Sequence, residues 1–142
     1  MRTRATVVAT VAGALALGAV AMQAGATGPG EEAGIRRVEI VMRYSRFEPG
    51  RVEVHPGETV RFVLRNEDPI DHEFIVGDAR VQLAHERGTE AHHPPRPGEI
   101  SVPPGTTRVT TVSFPERPDQ ILFGCHLPGH YRYGMVGTIE QG

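Results

Sequence analysis

Phe123-Gly-Cys-His-Leu-Pro-Gly-His-Tyr-Arg-Tyr-Gly-Met-Val-Gly137 joins what read as the last two strands of the chain, Gln120–Gly124 and Met135–Glu140. Cys125, His130 and Met135 follow one another at intervals of five residues. A thiol, an imidazole and a thioether therefore share one tight loop. Pro128, Gly129, Gly134 and Gly137 are turn residues that let such a loop fold closely. Phe123, Leu127, Tyr131 and Tyr133 are the side chains expected to keep water away from it.

Upstream of this loop the apolar residues recur with a period of two. Val38, Ile40, Met42 and Tyr44 alternate with Glu39, Val41 and Arg43, and Val60, Phe62 and Leu64 alternate with Arg61, Val63 and Arg65. This is the pattern of half-buried strands. Arg51–Val54, His72–Val76 and the β-branched run Thr106–Phe114 complete a set of seven. His55-Pro56-Gly57-Glu58 and Gly77-Asp78 punctuate them as turns, and Asn66–Asp71 reads as a polar loop. The expected fold is all-β, an antiparallel sandwich of about seven to eight strands. Residues 78–105 are too long for a hairpin connection and read as an inserted loop over the surface. Its first part, Ala79–Glu90, is weakly helical, and the rest, Ala91–Gly105, is dominated by proline.

At the N-terminus, Arg2 and Arg4 precede an apolar run from Ala5 to Met22, followed by Ala24-Gly25-Ala26. This is the pattern of a secretory signal peptide over residues 1–26. The run is long enough that an uncleaved membrane anchor is the alternative. Residues 27–34 read as a disordered linker and 35–142 as the folded domain. Removing Arg2 and Arg4 takes the formal charge from −2 to −4 and leaves Met42 and Met135 as the only methionines. The expected location is secreted or periplasmic. All fifteen basic residues are scattered arginines balanced by seventeen acids, so no nucleic-acid surface is expected. One cysteine in 142 residues excludes an intramolecular disulfide, a CxxC redox pair, a Cys-rich zinc ribbon and an iron–sulfur cluster. A free thiol, an intermolecular bridge, a catalytic nucleophile and a thiolate metal ligand remain.

Thiolate, imidazole and thioether together are a soft donor set suited to copper in both oxidation states. A blue-copper site needs a second imidazole, and His72 is the candidate, since it opens a strand straight after a polar loop. The expected ligands are His72, Cys125 and His130 in a trigonal plane, with Met135 as a weak axial ligand. Cys-x4-His-x4-Met with an upstream His-Glu-Phe resembles the cupredoxin family of plastocyanin- and azurin-like electron carriers. Tyr44-Ser45-Arg46-Phe47-Glu48-Pro49 and Gly57-Glu58-Thr59-Val60-Arg61-Phe62 resemble it too. The resemblance spans Ile35 to Glu140 apart from the insertion. It implies a Greek-key sandwich with one type 1 copper on the same four residues.

The loop also resembles the type 1 loop of multicopper oxidases, where histidines flank the cysteine. Here His126 follows Cys125 but Gly124 precedes it, and no His-x-His pair occurs in the chain. Oxygen reduction within this chain is therefore not expected, and His126 is expected near the site without being a ligand. His55 reads as a solvated turn residue. His85, Glu86, Glu90, His92 and His93 lie in the insertion, as a solvated surface or a second metal site. Glu67, Asp68, Asp71 and Glu73 form either a partner-docking patch or an ordinary polar loop.

The leading expectation is a non-enzymatic, monomeric carrier of single electrons between redox partner proteins. The alternatives are extracytoplasmic copper handling and an electron-donating subunit of a copper oxidoreductase.

Overall fold

The computed structural model describes residues 34–88, 94–116 and 120–142. The signal-peptide reading and residues 27–33 of the linker reading lie outside these residues, as do Glu90, His92 and His93. Two sheets face each other. One contains β1 (Ile35–Arg43), β2 (Arg46–Glu48), β4 (Thr59–Asn66) and β7 (Thr107–Ser113), in the order β2-β1-β4-β7. The other contains β3 (Arg51–Val54), β5 (His72–Gly77), β6 (Glu99–Val102), β8 (Ile121–Gly124) and β9 (Val136–Gln141), in the order β3-β9-β8-β5-β6. The sandwich is as expected, with two differences in pairing. β1 runs parallel to β4, and β3 runs parallel to β9. The chain leaves the first sheet after β2, contributes β3 to the second, and returns as β4 alongside β1.

Alternation in the sequence becomes burial in the core. Val60, Phe62, Leu64 and Asn66 are the inward residues of β4, and Ile40 and Met42 those of β1. Phe47, Phe62, Phe74 and Phe123 form an aromatic cluster between the sheets. Centroid separations are 5.2 Å for Phe47–Phe123, 5.2 Å for Phe62–Phe74 and 5.3 Å for Phe74–Phe123. Each such pair contributes about 0.5–1.5 kcal/mol beyond the area it buries. A Cβ on Gly137 would lie 2.2 Å from Phe123 Cζ and 2.7 Å from the Gly50 carbonyl oxygen, so β9 can cross this cluster only with glycine there.

Tyr44 departs from the alternation. It is 83% exposed, and with Ser45 it forms the two-residue β1–β2 turn, with φ of 54° and 50°. Positive φ at both central residues is the requirement of the hairpin turn that matches strand twist. The cost to two non-glycine residues is offset by charged hydrogen bonds: Tyr44 N–H donates to Asp68 Oδ1 at 2.7 Å and Ser45 N–H to Asp68 Oδ2 at 2.8 Å.

The segment read as a loop over residues 78–105 carries more structure than expected. Asp78 caps helix α1 (Ala79–Glu86), accepting from Arg80 N–H at 2.9 Å and Val81 N–H at 3.0 Å. The helix stops four residues earlier than the sequence pattern suggests, and Gly88 takes up the left-handed conformation just beyond it. Gln82 is buried. Its amide nitrogen donates to the Ile75 carbonyl at 3.0 Å and to the Gly77 and Leu122 carbonyls at 3.3 Å each, so α1 is pinned across β5 and β8. β6 pairs with β5 from His72↔Val102 to Ile75↔Glu99, so the end of the segment is an edge strand of the second sheet.

Candidate metal centre

His72 opens β5, Cys125 follows β8 directly, and His130 sits in the β8–β9 loop. All three come together at one end of the sandwich. Cys125 Sγ lies 3.2 Å from His130 Nδ1 and 4.0 Å from His72 Nδ1, and the two Nδ1 atoms are 3.3 Å apart. A trigonal ion with metal–nitrogen bonds near 2.0 Å and a metal–sulfur bond near 2.3 Å separates its nitrogens by about 3.5 Å and each nitrogen from sulfur by about 3.7 Å. The triangle matches that size. Among the described residues it is the one group of three His, Cys, Asp or Glu donors whose atoms all lie within 4.8 Å of one another. One thiolate and two imidazoles are a donor set that fits copper.

The loop is held by its own backbone. Cys125 N–H donates to the Met135 carbonyl at 3.1 Å, Met135 N–H to the His130 carbonyl at 2.9 Å, and His130 N–H to the Leu127 carbonyl at 3.0 Å. Met135 is thereby fixed opposite Cys125 and is fully buried in the core cluster. Glu73 N–H donates to Cys125 Sγ at 3.3 Å, which places a dipole against the sulfur. Of the expected aromatic screen, Phe123 is fully buried and Leu127 packs against the core, whereas Tyr133 is 77% exposed.

His72 is fully buried, and its Nε2–H donates to Asp68 Oδ2 at 2.8 Å. This bond fixes the tautomer and leaves Nδ1 as the basic nitrogen facing Cys125 and His130. Burial alone raises the pKa of Asp68. The hydrogen bonds from Ser45, His72 and Tyr44 outweigh that and hold its carboxyl below the usual range. Asn66 supports the same corner by accepting from Asp68 N–H at 2.9 Å and donating to the Val102 carbonyl at 2.9 Å. Asp68 thus faces inward, and Glu67 is paired with Arg43 at 2.7 Å and with Arg65. Two of the four acids read as a possible docking patch are therefore engaged within the fold.

His126 points away from this triangle, into the face of α1. Its ring stacks on Tyr131 at 4.6 Å and meets Gln82 Oε1 at 2.8 Å and Glu86 Oε2 at 3.2 Å. Gly124 is needed beneath this packing, since a Cβ there would lie 2.7 Å from the Tyr131 ring and 2.9 Å from Gln82 Oε1. The helix therefore braces the β8–β9 loop. His55 is exposed in its turn.

Burial pushes the Cys125 thiol up to about 11, against the opposing pull of the Glu73 and Leu127 N–H groups. Burial and the neighbouring His72 lower the pKa of His130. At pH 8 the metal-free site therefore holds a thiol beside a neutral His130. Ligation requires the thiolate, so the thiol proton has to leave when a metal enters. Metal binding at pH 8 is expected to release one proton per ion, measured in weakly buffered solution. Apparent affinity is expected to rise about tenfold per pH unit from pH 8 towards the thiol pKa. Binding with no proton release contradicts this.

The fold and the donor triangle define a copper protein built on a two-sheet β-sandwich. The chain belongs to the cupredoxin family: the family model described as a cupredoxin-like domain matches residues 11–102, which include His72 and end before the β8–β9 loop. The chain is 31% identical over 137 aligned residues to the copper-resistant cuproprotein CopI of Pseudomonas aeruginosa, covering 73% of this chain and 75% of that protein. It is 35% identical over 119 aligned residues to CopI of Rubrivivax gelatinosus, covering 78% and 70%. Among solved structures, auracyanin B superposes with a TM-score of 0.63 at 21% identity, over 80% of this chain and 93% of that one. Auracyanin A, a "blue" copper protein from Chloroflexus aurantiacus, gives 0.61 at 21% identity, over 77% of this chain and all of that one. At such identity these two likenesses speak for the fold alone.

Proposed function

We propose that this chain is an exported type 1 copper protein that exchanges single electrons through one copper, which His72, Cys125, His130 and Met135 would hold. The observation that carries the proposal is the buried triangle of Cys125 Sγ, His72 Nδ1 and His130 Nδ1. Bound copper supplies a one-electron couple. Cys125 provides the thiolate and His72 the imidazole locked by Asp68. Phe47, Phe74 and Phe123 share one buried apolar cluster with Cys125 and Met135, which excludes water from that side of the thiol. Because β8, β9 and the loop between them are tied together by hydrogen bonds, the ligands keep nearly one arrangement in both oxidation states, so little reorganisation accompanies electron transfer. His130 is half-buried, and the ring edge turned away from Nδ1 is the route for electrons to a redox partner. The apolar run after Arg2 and Arg4 supports export, and no helix among the described residues is long and apolar enough to cross a membrane.

A second reading is extracytoplasmic copper handling, by buffering or delivery. It is favoured by the two CopI relatives, which are named for copper resistance. Voltammetry of the copper-loaded protein, with a chelator-exchange assay on the same sample, separates the two. A reversible one-electron couple with slow loss of copper is the result expected for the carrier. Rapid exchange without a reversible couple supports handling.

A further inference from the structure

Helix α1 is docked through a polar residue. Gln82, 3% exposed, is the most buried residue of the helix, where a helix held by packing alone presents an apolar stripe. A buried amide costs stability unless its donors and its acceptor all find partners, and here they do. The two N–H bonds are shared among the carbonyls of Ile75, Gly77 and Leu122, at 3.0, 3.3 and 3.3 Å. Oε1 is left to accept, and His126 Nε2–H supplies the hydrogen at 2.8 Å.

These partners belong to the two strands that carry His72 and Cys125. His72 opens β5 and Cys125 follows β8, yet the ladder between the strands has only three pairs: Ile75↔Gly124, Val76↔Phe123 and Gly77↔Leu122. Both donor residues lie beyond the same end of it. Gln82 spans this short ladder on carbonyls of both strands and reaches past its end to His126. Two glycines admit the helix to that distance. A Cβ on Gly77 would lie 2.6 Å from the Val81 side chain, and one on Gly124 would lie 2.9 Å from Gln82 Oε1. Cys125 turns inward to the core and His126 outward to the helix, as successive residues of a strand do. Holding the His126 ring therefore fixes the backbone rotation from which Cys125 Sγ is aimed at His72 and His130.

We propose that Gln82 is a positioning residue for Cys125: it ties β5 to β8 behind the donor triangle and holds His126, so that the sulfur keeps its place. The structural consequence rests on these hydrogen bonds alone, and the spectroscopic one rests on the copper reading of the triangle. Cu(II) left free favours tetragonal surroundings. Loosening the sulfur lets the oxidised ion relax towards them, which weakens the visible band and lowers the reduction potential. Helix α1 is in this way part of the site, although it touches none of the three donors.

The test compares Gln82→Leu and His126→Phe with the wild type. Leucine keeps most of the bulk of glutamine and phenylalanine can keep the stack on Tyr131, while each removes the Gln82–His126 hydrogen bond. Glu73 N–H donates to Cys125 Sγ and so reports on the sulfur. In metal-free protein its hydrogen exchange is expected to accelerate about tenfold more than that of the amides of β4, the scale of one buried hydrogen bond. In copper-loaded protein the visible band is expected to weaken and the reduction potential to fall in both variants. The double variant is expected to go no further than the larger single effect. Arg80→Gln, 93% exposed at the start of the same helix, is expected to change none of these. Variants that unfold at lower temperature but keep the band and potential of the wild type make Gln82 a structural anchor and overturn the proposal. So does acceleration at Glu73 no greater than in β4, or shifts that add in the double variant. A wild type without the visible band, with Glu73 exchange accelerated in both variants, counts against the copper reading and supports the positioning role.

Discussion

Replacing Cys125 with Ser is expected to abolish the intense visible band of the copper-loaded protein, while the apo fold survives. The band near ~600 nm expected of a type 1 site is charge transfer from thiolate sulfur to copper, and an alkoxide or hydroxyl cannot supply it. Cys125 is the chain's single cysteine, so no other sulfur of its kind can substitute. The replacement is nearly isosteric, and Glu73 N–H, which donates to Sγ, retains an acceptor in the serine oxygen. Circular dichroism of the variant is expected to match the wild type. A variant that keeps the band excludes the thiolate ligand. The same substitution removes the raised thiol pKa, so the proton release on metal binding at pH 8 is expected to disappear with it.

The second large effect is expected at Asp68, which stands behind His72 and outside the donor triangle. Its carboxylate holds His72 Nε2 at 2.8 Å and is itself held by Tyr44 and Ser45 N–H. Asp68→Ala leaves the buried His72 Nε2–H and both turn amides without their acceptor. Partners of this kind typically account for about 10–100-fold in metal affinity, and a loss in that range is expected in a competition assay against a chelator. Asp68→Asn separates orientation from charge. The amide oxygen can still accept from His72, so affinity is expected to fall less than in the alanine variant. Removing the negative charge beside a ligand disfavours the more highly charged Cu(II), so the reduction potential is expected to rise. An unchanged affinity in the alanine variant, or a lowered potential in the asparagine variant, contradicts the role assigned here.

Much of this was readable from the chain because it depends on local pattern. Val60, Phe62 and Leu64 alternate with the less buried Arg61, Val63 and Arg65, and a strand with one buried face is the direct consequence. The spacing of Cys125, His130 and Met135 sets a loop whose two ends are hydrogen-bonded, and the structure closes it between β8 and β9. His72 was placed by its position after a polar loop, and that loop does end at the same end of the sandwich. The pairing of distant segments was less legible. Ile100 and Val102 lie among prolines and read as loop, yet β5 needs a neighbour on that side and β6 supplies it. Tyr44 continues an apolar alternation but turns outward, because the hairpin beside it is stabilised by an acid 24 residues further on. Asp68 looked like any loop acid, and Gln82 like any helix glutamine. Their roles come from burial, which puts His72 against one and three backbone carbonyls against the other.

The central claim is that a single copper sits in the triangle of His72, Cys125 and His130. Visible and EPR spectra of the copper-loaded protein, with copper and protein quantified on the same sample, test it most directly. One copper per chain with an intense band near ~600 nm and the EPR spectrum of a thiolate-bound Cu(II) is the predicted result. One copper per chain with only the weak absorption of nitrogen- and oxygen-bound Cu(II) contradicts it.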